Sequence, residues 1–486
     1  PYDEEVFLWT PEDGFGFYEI GDIVENERPA RAVSFDPETL HVSTHRVTDY
    51  ITNPTKRIHR VTLDSGREVL VTKDHNLFTL DERGGVTRIP SEDAHGTHVM
   101  VPKHLPQSPS ERQSLDLLDH VDPTETTLYA SDGLGSVDTT GVPDGSERHY
   151  ENNESAPMET VPRMATPDTV DVAFRQSDLR LPRSIPLTKE FGWVLGFYIA
   201  EGSARRKQVQ VGNKTRAYLD RFASFFEQYD TGLSWYENDD GITRLTVCSA
   251  LWSKVVRSLA GSGSEKSIPT EAFDWPHTVL EGMLEGLLDG DGCRREERDT
   301  FYTANEELAN QVMYLATRLG RLGSMYSRER ETHIPMSDVT AETEMWAVDV
   351  SDERHRRGQY VPVPSGLLRS LRHEAGMTMA EAADAMGYSS ASSISNLENE
   401  EYDTVKRKTL RRFRDAYADA GVDTERLDQI LDNGVRFEEV VSVEKTDRVE
   451  TTYDLEVQPN GRTIENFLGG KGGVFLSNTA GLCDPG

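Results

Sequence analysis

VLGFYIAEG at Val194–Gly202 and LEGLLDGDG at Leu284–Gly292 share one pattern: an apolar run with glycine third and an acid just before the last glycine. The acids are Glu201 and Asp291. Apolar residues at this spacing predict a helix for each segment. Two such segments, about one small domain apart, imply a pseudo-symmetric pair. If the helices pack side by side, Gly196 and Gly286 let the backbones approach closely. Both carboxylates then fall together at the helix ends. Two close acids attract divalent cations, and Mg²⁺ suits oxygen ligands completed by substrate phosphate. Two-metal sites cleave phosphodiesters by stabilising both the attacking and the leaving oxygen. A single amphipathic core helix capped by an acid would show either motif alone; the repeat favours the pair.

These segments resemble the paired LAGLIDADG motifs of homing endonucleases, and the resemblance assigns metal-binding, catalytic roles to Glu201 and Asp291. Lys266-Ser-Ile-Pro269 lies between the motifs, where intein endonucleases carry a lysine followed by Ile-Pro. The resemblance gives Lys266 a part in charge stabilisation or water activation. Thr303-Ala304-Asn305 with Leu308, then Leu315 to Gly320, resembles the helical segment after the second motif. Strand-like stretches at Gln208–Val211 and Ile242–Val247 suggest an αββαββα-type repeat.

Composition adds an apparent conflict. The 486 residues suffice for several domains. Net charge is −32, from 52 Lys and Arg against 84 Asp and Glu. Phosphate binding normally uses basic residues. A salty cytoplasm resolves the conflict, because at ~1 M ionic strength the Debye length shrinks to ~3 Å. Abundant Asp and Glu, with Arg dominating over Lys, point to a haloarchaeal source. Cys248, Cys293 and Cys483 are too few and too widely spaced for a disulfide framework or zinc site. No signal peptide and no apolar run of ~18 residues is found, so a soluble, cytoplasmic protein is expected.

Residues 1–103 read as short strands, at Val47–Tyr50, His59–Leu63, Glu68–Thr72 and Leu77–Leu80, with a hairpin turn at Asp64-Ser65-Gly66. Residues 104–185 are rich in Ser, Thr, Pro, Asp and Glu, which suggests a flexible acidic insertion. An extra module ordered only on DNA is the alternative. Residues 361–435 are helical. Thr378-Met-Ala-Glu381 is a capping-box start, and Gly387 suits the turn that ends its helix. A polar helix follows from Ser389 to about Asn399. The stretch GMTMAEAADAMGYSSASSISNLENE resembles the Cro/repressor-type helix-turn-helix. Ser389, Ser390, Ser392, Ser393 and Asn396 would then face DNA. Lys406, Arg407, Lys408 and Arg411, with Arg412 and Arg414, form a basic cluster suited to its phosphates. A small helical packing domain with a solvated basic face is the alternative.

The two ends return to β character. Thr72-Lys-Asp-His75, Thr452-Tyr-Asp-Leu-Glu-Val457, Asn466-Phe467 and Gly472-Gly473-Val-Phe-Leu-Ser-Asn478-Thr479 resemble the splicing blocks of inteins, which are built on the Hint fold. The family's chemistry is an acyl shift, a transesterification and an asparagine cyclisation. By resemblance, His75 polarises or protonates the upstream scissile amide, a role suited to its near-neutral free pKa. Thr72 helps hold the carbonyl, and Asp454 tunes proton transfer between junctions. Asn478 cyclises to a succinimide. Thr479 accepts the upstream acyl group and is the first residue of the host. Two departures stand out. Inteins begin with a nucleophile, usually Cys or Ser, whereas this sequence begins with Pro1, so the nucleophile is expected just before it. Ser477 occupies the place of a usual histidine and cannot share charge as imidazolium does; Lys471 is a possible helper. The last residues, TAGLCDPG at Thr479–Gly486, resemble an active-site loop of the dCTP deaminase/dUTPase family.

The expectation is a multidomain chain: an all-β Hint domain (1–103 and 436–478) split by an α/β LAGLIDADG endonuclease (186–360) and a small all-α helix-turn-helix module (361–435), with a host flank at 479–486. It implies self-splicing, which needs no cofactor, and Mg²⁺-dependent cleavage of double-stranded DNA at an intein-less host allele. Host flanks are covalent partners, no membrane is involved, and the chain is a monomer. Rival readings are a splicing element with a decayed endonuclease, and a helix-turn-helix regulator without cleavage.

Overall fold

A computed structural model describes residues 1–122, 124, 126–130, 152, 155–158, 170–174, 178–237, 241–296, 298–333, 340–351, 359–399, 401–458 and 465–478. The chain divides into two compact units. One comprises residues 1–108, 295–299 and 312–486; the other comprises 109–294 and 300–311.

The first unit is built on an eleven-stranded antiparallel sheet that interleaves the two chain ends. Its strand order is Val86–Pro90, Asn76–Leu80, Val474–Ser477, Asn466–Gly469, Glu5–Thr10, Arg31–Phe35, Val42–Leu63, Val435–Val457 and His98–Pro102. Gly14–Glu19 and Glu68–Thr72 pair off this path, with Glu5–Thr10 and Val42–Leu63 respectively. Late residues meet early ones directly: Leu476 pairs with Leu77, and Gly469 with Val6. Alternating Val, Leu and Phe turn one face inward, where Val6, Leu8, Val61, Val69, Leu77, Val99, Leu455, Phe467 and Val474 share a core. Each such burial contributes roughly 1.5–3 kcal/mol.

Val42–Leu63 is one 22-residue strand, where the sequence suggests two. It runs antiparallel to Val435–Val457, and the register slips between Glu450↔Lys56 and Thr452↔Asn53. Pro54 sits in that gap. It has no N–H for the ladder, so the strand bulges there and its alternation is lost. The turn Asp64-Ser65-Gly66 is present, with Gly66 at φ +80°. A Cβ on Gly66 would lie 1.9 Å from the Met325 carbonyl oxygen, so only glycine fits.

Five helices of the same unit span Ser365–Glu374, Met379–Ala385, Ser392–Glu398, Arg407–Asp419 and Glu425–Asp432. Thr378 and Glu381 form the reciprocal capping box. Gly387 turns the chain at φ +74°. Arg372 joins the first and third helices through a bidentate pair with buried Glu398, at 2.7 and 2.8 Å. The group rests on the sheet's turns: Arg426 donates to the Gly84 carbonyl at 2.7 Å, and the Leu367 amide to the Glu82 carbonyl at 3.0 Å.

The second unit centres on two helices, Lys189–Glu201 and His277–Asp291. Thr188 caps the first by accepting from the Phe191 amide at 3.1 Å. Nine consecutive residues of that helix, Phe191 to Ile199, are buried. After it come strands Gly202–Arg205 and Gln208–Asn213, helix Arg216–Glu227, strands Leu233–Glu237 and Thr243–Val247, and helix Ala250–Ala260. This is the αββαββα order. Within residues 104–185, where composition suggests a flexible acidic insertion, the described residues include Thr126–Ala130 paired with Ser155–Pro157 and Val170–Phe174. Among the described residues no helix is long and apolar enough to cross a membrane.

Candidate functional site

Two groups of side chains are candidates for chemistry, one in each unit. In the second unit, the two central helices touch along their glycines. A Cβ on Gly196 would lie 2.1 Å from the Met283 carbonyl oxygen, and one on Gly286 would lie 2.1 Å from that of Trp193. Gly192 and Gly282 meet the facing backbone equally closely. This contact sets both helix C-termini side by side, with Glu201 and Asp291 as their last residues. Burial, and then the charge of Asp291, push the Glu201 carboxyl up to about 7. Burial also raises Asp291. Carbonyl dipoles at helix C-termini are a further source of negative potential. Asn213 Nδ2 donates to Glu201 Oε1 at 2.7 Å and fixes its direction.

Lys266 supplies the nearby positive charge. Its Nζ donates to the carbonyls of Gly202 at 3.0 Å and Ala200 at 3.1 Å, so it caps the C-terminus of the first helix. Burial lowers its pKa, against the opposing pull of Asp291 and Glu201. Asn305 Nδ2 holds the Lys266 carbonyl at 3.2 Å. Asp289, near the end of the second helix, accepts from Trp193 Nε1 and from Arg294, each at 2.8 Å, and is occupied structurally. Among the described residues no group of three or more His, Cys, Asp or Glu gathers. A divalent cation here would therefore draw on two carboxylates plus oxygens of backbone, water or substrate. Two carboxyls that resist ionising together suit such a cation.

In the first unit, a cleft of about 510 Å³, counting its open mouth, is lined by Pro1, Glu4, Lys56, Thr72, His75, Thr452, Phe467 and Leu476 among others. The Thr72–His75 turn closes with the His75 amide on the Thr72 carbonyl at 3.0 Å. Ser91 Oγ staples it by donating to the same carbonyl at 2.8 Å. Among the described residues, buried His75 Nε2 has no hydrogen-bond partner. Burial lowers the His75 pKa to about 4. The ring is thus neutral at neutral pH and offers one N–H donor and one lone pair. Glu4 accepts from the Leu70 amide at 3.1 Å, and burial pushes its carboxyl up to about 8.

Asp454 is buried on the long strand opposite Ile51, and its carboxylate accepts from the Leu455 amide at 2.9 Å. Asn478 follows the last strand and is buried, with Nδ2 donating to Glu465 Oε2 at 2.6 Å. Ser477 Oγ donates to the Asn478 carbonyl oxygen at 3.0 Å. Lys471 instead approaches Glu68, at 3.6 Å. Thr479 and the remainder of the host flank lie outside the described residues.

In the helical group, the polar helix begins at Ser392, with Ser389 and Ser390 in the turn before it. Ser389, Ser390 and Ser392 are exposed, while Ser393 and Asn396 are half-buried. Lys406, Lys408 and Arg411 are exposed, and Arg411 pairs with Asp432 at 3.4 Å. Arg407 differs from the expectation of a DNA contact: it is buried, donating to the carbonyls of Leu431 and Val435.

Sequence reading missed Ser91 and Glu465, and it named Asn466 only as part of a splicing-block segment, without its contacts. Asn466 Oδ1 accepts from the Phe35 amide at 2.9 Å, and its Nδ2 donates to the Phe35 carbonyl at 2.8 Å. These bonds pin the last hairpin to the sheet. Ser91 acts on a turn earlier in the chain, Glu465 across the last hairpin and Asn466 on a strand near the other end of the sequence, so local pattern carries no signal for these contacts.

Residues 11–478 match the family described as intein splicing domain. An A-type ATP synthase protein of Methanopyrus kandleri is 26% identical over 88% of this chain and 45% of that protein. An archaeal DNA-directed RNA polymerase component, Rpo1C of Methanocaldococcus jannaschii, is 22% identical over 65% of this chain and 35% of that protein. The chain thus spans less than half the length of these curated relatives. Among solved structures, the PabCDC21-1 intein is 26% identical, covering 22% of this chain and 73% of that one, at a TM-score of 0.19. I-DmoI in complex with DNA and Mn is 11% identical, covering 34% of this chain and 90% of that one, at a TM-score of 0.25.

Proposed function

We propose, from the premise that this chain belongs to the intein splicing-domain family, that it excises itself from a host protein and carries a site-specific DNA endonuclease in its second unit. A nucleophile joined to Pro1 would enter the cleft at His75. There the buried neutral imidazole polarises the upstream amide, and the turn stapled by Ser91 holds the Thr72 hydroxyl beside it. Thr479 accepts the acyl group, Asp454 tunes the exchange, and Asn478 cyclisation releases the downstream segment.

The nuclease half rests on the close glycine contact of the two central helices, whose last residues are Glu201 and Asp291, and burial with Asp291 pushes the Glu201 carboxyl up to about 7. Glu201 and Asp291 would hold a divalent cation, by this reading Mg²⁺. When bound, that ion supplies positive charge for a phosphodiester's developing oxyanion. Lys266 fixes the end of the first helix and so positions Glu201. Ser389, Ser390, Ser392, Ser393 and Asn396, with Lys406, Lys408 and Arg411, offer the polar and basic groups of a helix-turn-helix contact with DNA. The acidic composition fits a haloarchaeal cytoplasm, and the flank fits a host of the dCTP deaminase/dUTPase type.

The test incubates purified chain with intein-less host DNA in high KCl and Mg²⁺. Double-strand cutting is expected, and Glu201→Gln and Asp291→Asn should each reduce it by about 10³-fold while retaining DNA binding. Undiminished nicking by both variants would refute the acid pair. Binding without any cutting by the unaltered chain would favour a decayed nuclease.

A further inference from the structure

The last hairpin pairs Asn466 with Ser477, so the next residues outward, Glu465 and Asn478, face each other across its open end. The Asn478 amide donates to the Glu465 carbonyl at 3.4 Å, which continues the ladder by one step. Directly opposed side chains in such a ladder lie within reach of each other. Glu465 Oε2 accordingly takes the Asn478 Nδ2 proton donor at 2.6 Å. On the other side, Ser477 Oγ donates to the Asn478 carbonyl oxygen at 3.0 Å. The two atoms that must react, the amide nitrogen and the carbonyl carbon of Asn478, are therefore each served by a different side chain. Ser477 is fully buried and Asn478 is 4% exposed, so the Ser477 hydrogen bond is shielded from water and strengthened, while Glu465 is half-buried and its carboxylate keeps partial access to solvent.

We propose that Glu465 and Ser477 are catalytic residues for Asn478 cyclisation: Glu465 accepts the proton from Nδ2, and the Ser477 hydroxyl stabilises the carbonyl oxyanion. This rests on the splicing reading above. Nδ2 attacks the carbonyl carbon of its own residue, so a C–Nδ2 bond forms and the C–N bond to residue 479 breaks. One proton moves from Nδ2 to the Glu465 carboxylate and on to the departing α-nitrogen. The upstream piece ends in a succinimide, and the downstream piece begins with a free amine. No other co-reactant is needed. Ser477 thus does by hydrogen bonding what imidazolium would do by charge, and Lys471, engaged near Glu68, is not required.

The test fuses the full chain through Gly486 to a reporter, with cysteine placed before Pro1. Release of the reporter is followed in time, and the succinimide is detected by mass spectrometry. Thiol-induced cleavage at the upstream junction reads the other active site and the integrity of the fold. Asn478→Ala should stop release. Glu465→Gln should slow it by about 10²-fold, and Glu465→Asp should recover part of the rate. Ser477→Ala should slow release by about 10²-fold, and Ser477→Thr should restore it. Upstream cleavage should stay at the unaltered rate in all four variants at Glu465 and Ser477. Release at the unaltered rate in both Glu465→Gln and Ser477→Ala, with Asn478→Ala blocked, would overturn the assignment and leave the splicing reading standing. Release that persists in Asn478→Ala, or fails in the unaltered chain, would sink both together.

Discussion

Glu201 sits where burial and Asp291 both oppose its charge, which places its carboxyl at about 7 against an ordinary 4.5. An acid raised in this way favours the folded state in its protonated form. Metal-free stability should therefore fall as pH rises from 4.5 through 7, then level off. A divalent cation must displace that proton. Mg²⁺ affinity should accordingly rise between about pH 6 and 8, and calorimetric titration of the folded chain measures it. Glu201→Gln should flatten the pH dependence. It should also stabilise the metal-free chain at pH 8 by about 1 kcal/mol, a figure already reduced for the solvent that screens a half-buried group. An affinity independent of pH would show that the two carboxyls do not share a cation. His75 and Glu201 teach the same lesson. Their identities were readable from the sequence, but their protonation states follow from burial, which only folding sets.

The helix pair gives the sharpest element-scale prediction. Gly196→Ala would place a methyl 2.1 Å from the Met283 carbonyl, so the helices must separate. A loss of about 3 kcal/mol is expected, together with loss of DNA cutting, read by chemical denaturation and by nuclease assay. Gly232→Ala is the neutral control, because its nearest atom lies 3.9 Å away. Equal stability of the two variants would contradict the close packing. On the helix Arg407–Asp419, Arg407 is spent internally, while Lys408 and Arg412 face water. Replacing Lys406, Lys408 and Arg412 with Gln should weaken DNA binding and lower the salt slope by up to about 0.9 per lost phosphate contact. Arg407→Gln should instead lower stability. Paired glycines leave a local signature, so the helix contact was legible in the sequence. The strand Val42–Leu63 was not, because Pro54 breaks its alternation into two apparent strands. Glu465 was invisible for another reason: its role comes from register against Asn478.

At the scale of the whole chain, a net charge of −32 makes self-repulsion the dominant long-range force. Raising KCl from 0.1 to 2 M shrinks the Debye length from ~10 Å to under ~3 Å, which removes most of that repulsion. The thermal midpoint should climb steeply over this range, as scanning calorimetry would record; a flat response would place the stabilising balance elsewhere. High salt also weakens phosphate contacts, so under the proposed DNA-binding role target affinity would rest on short-range groups such as the serines before and within Ser392–Glu398.

The pairing of Val42–Leu63 with Val435–Val457 sets a clock. The early strand emerges from the ribosome with its partner still unmade, and at about 5–20 residues per second the wait is on the order of tens of seconds. Throughout that interval one edge of the sheet has nothing to bind. Asn478 reaches its place only when the last hairpin docks against Leu77 and Phe35. On the splicing reading proposed above, self-cutting would thereby be deferred until translation has passed the junction, and synthesis order itself would protect the nascent host from premature scission.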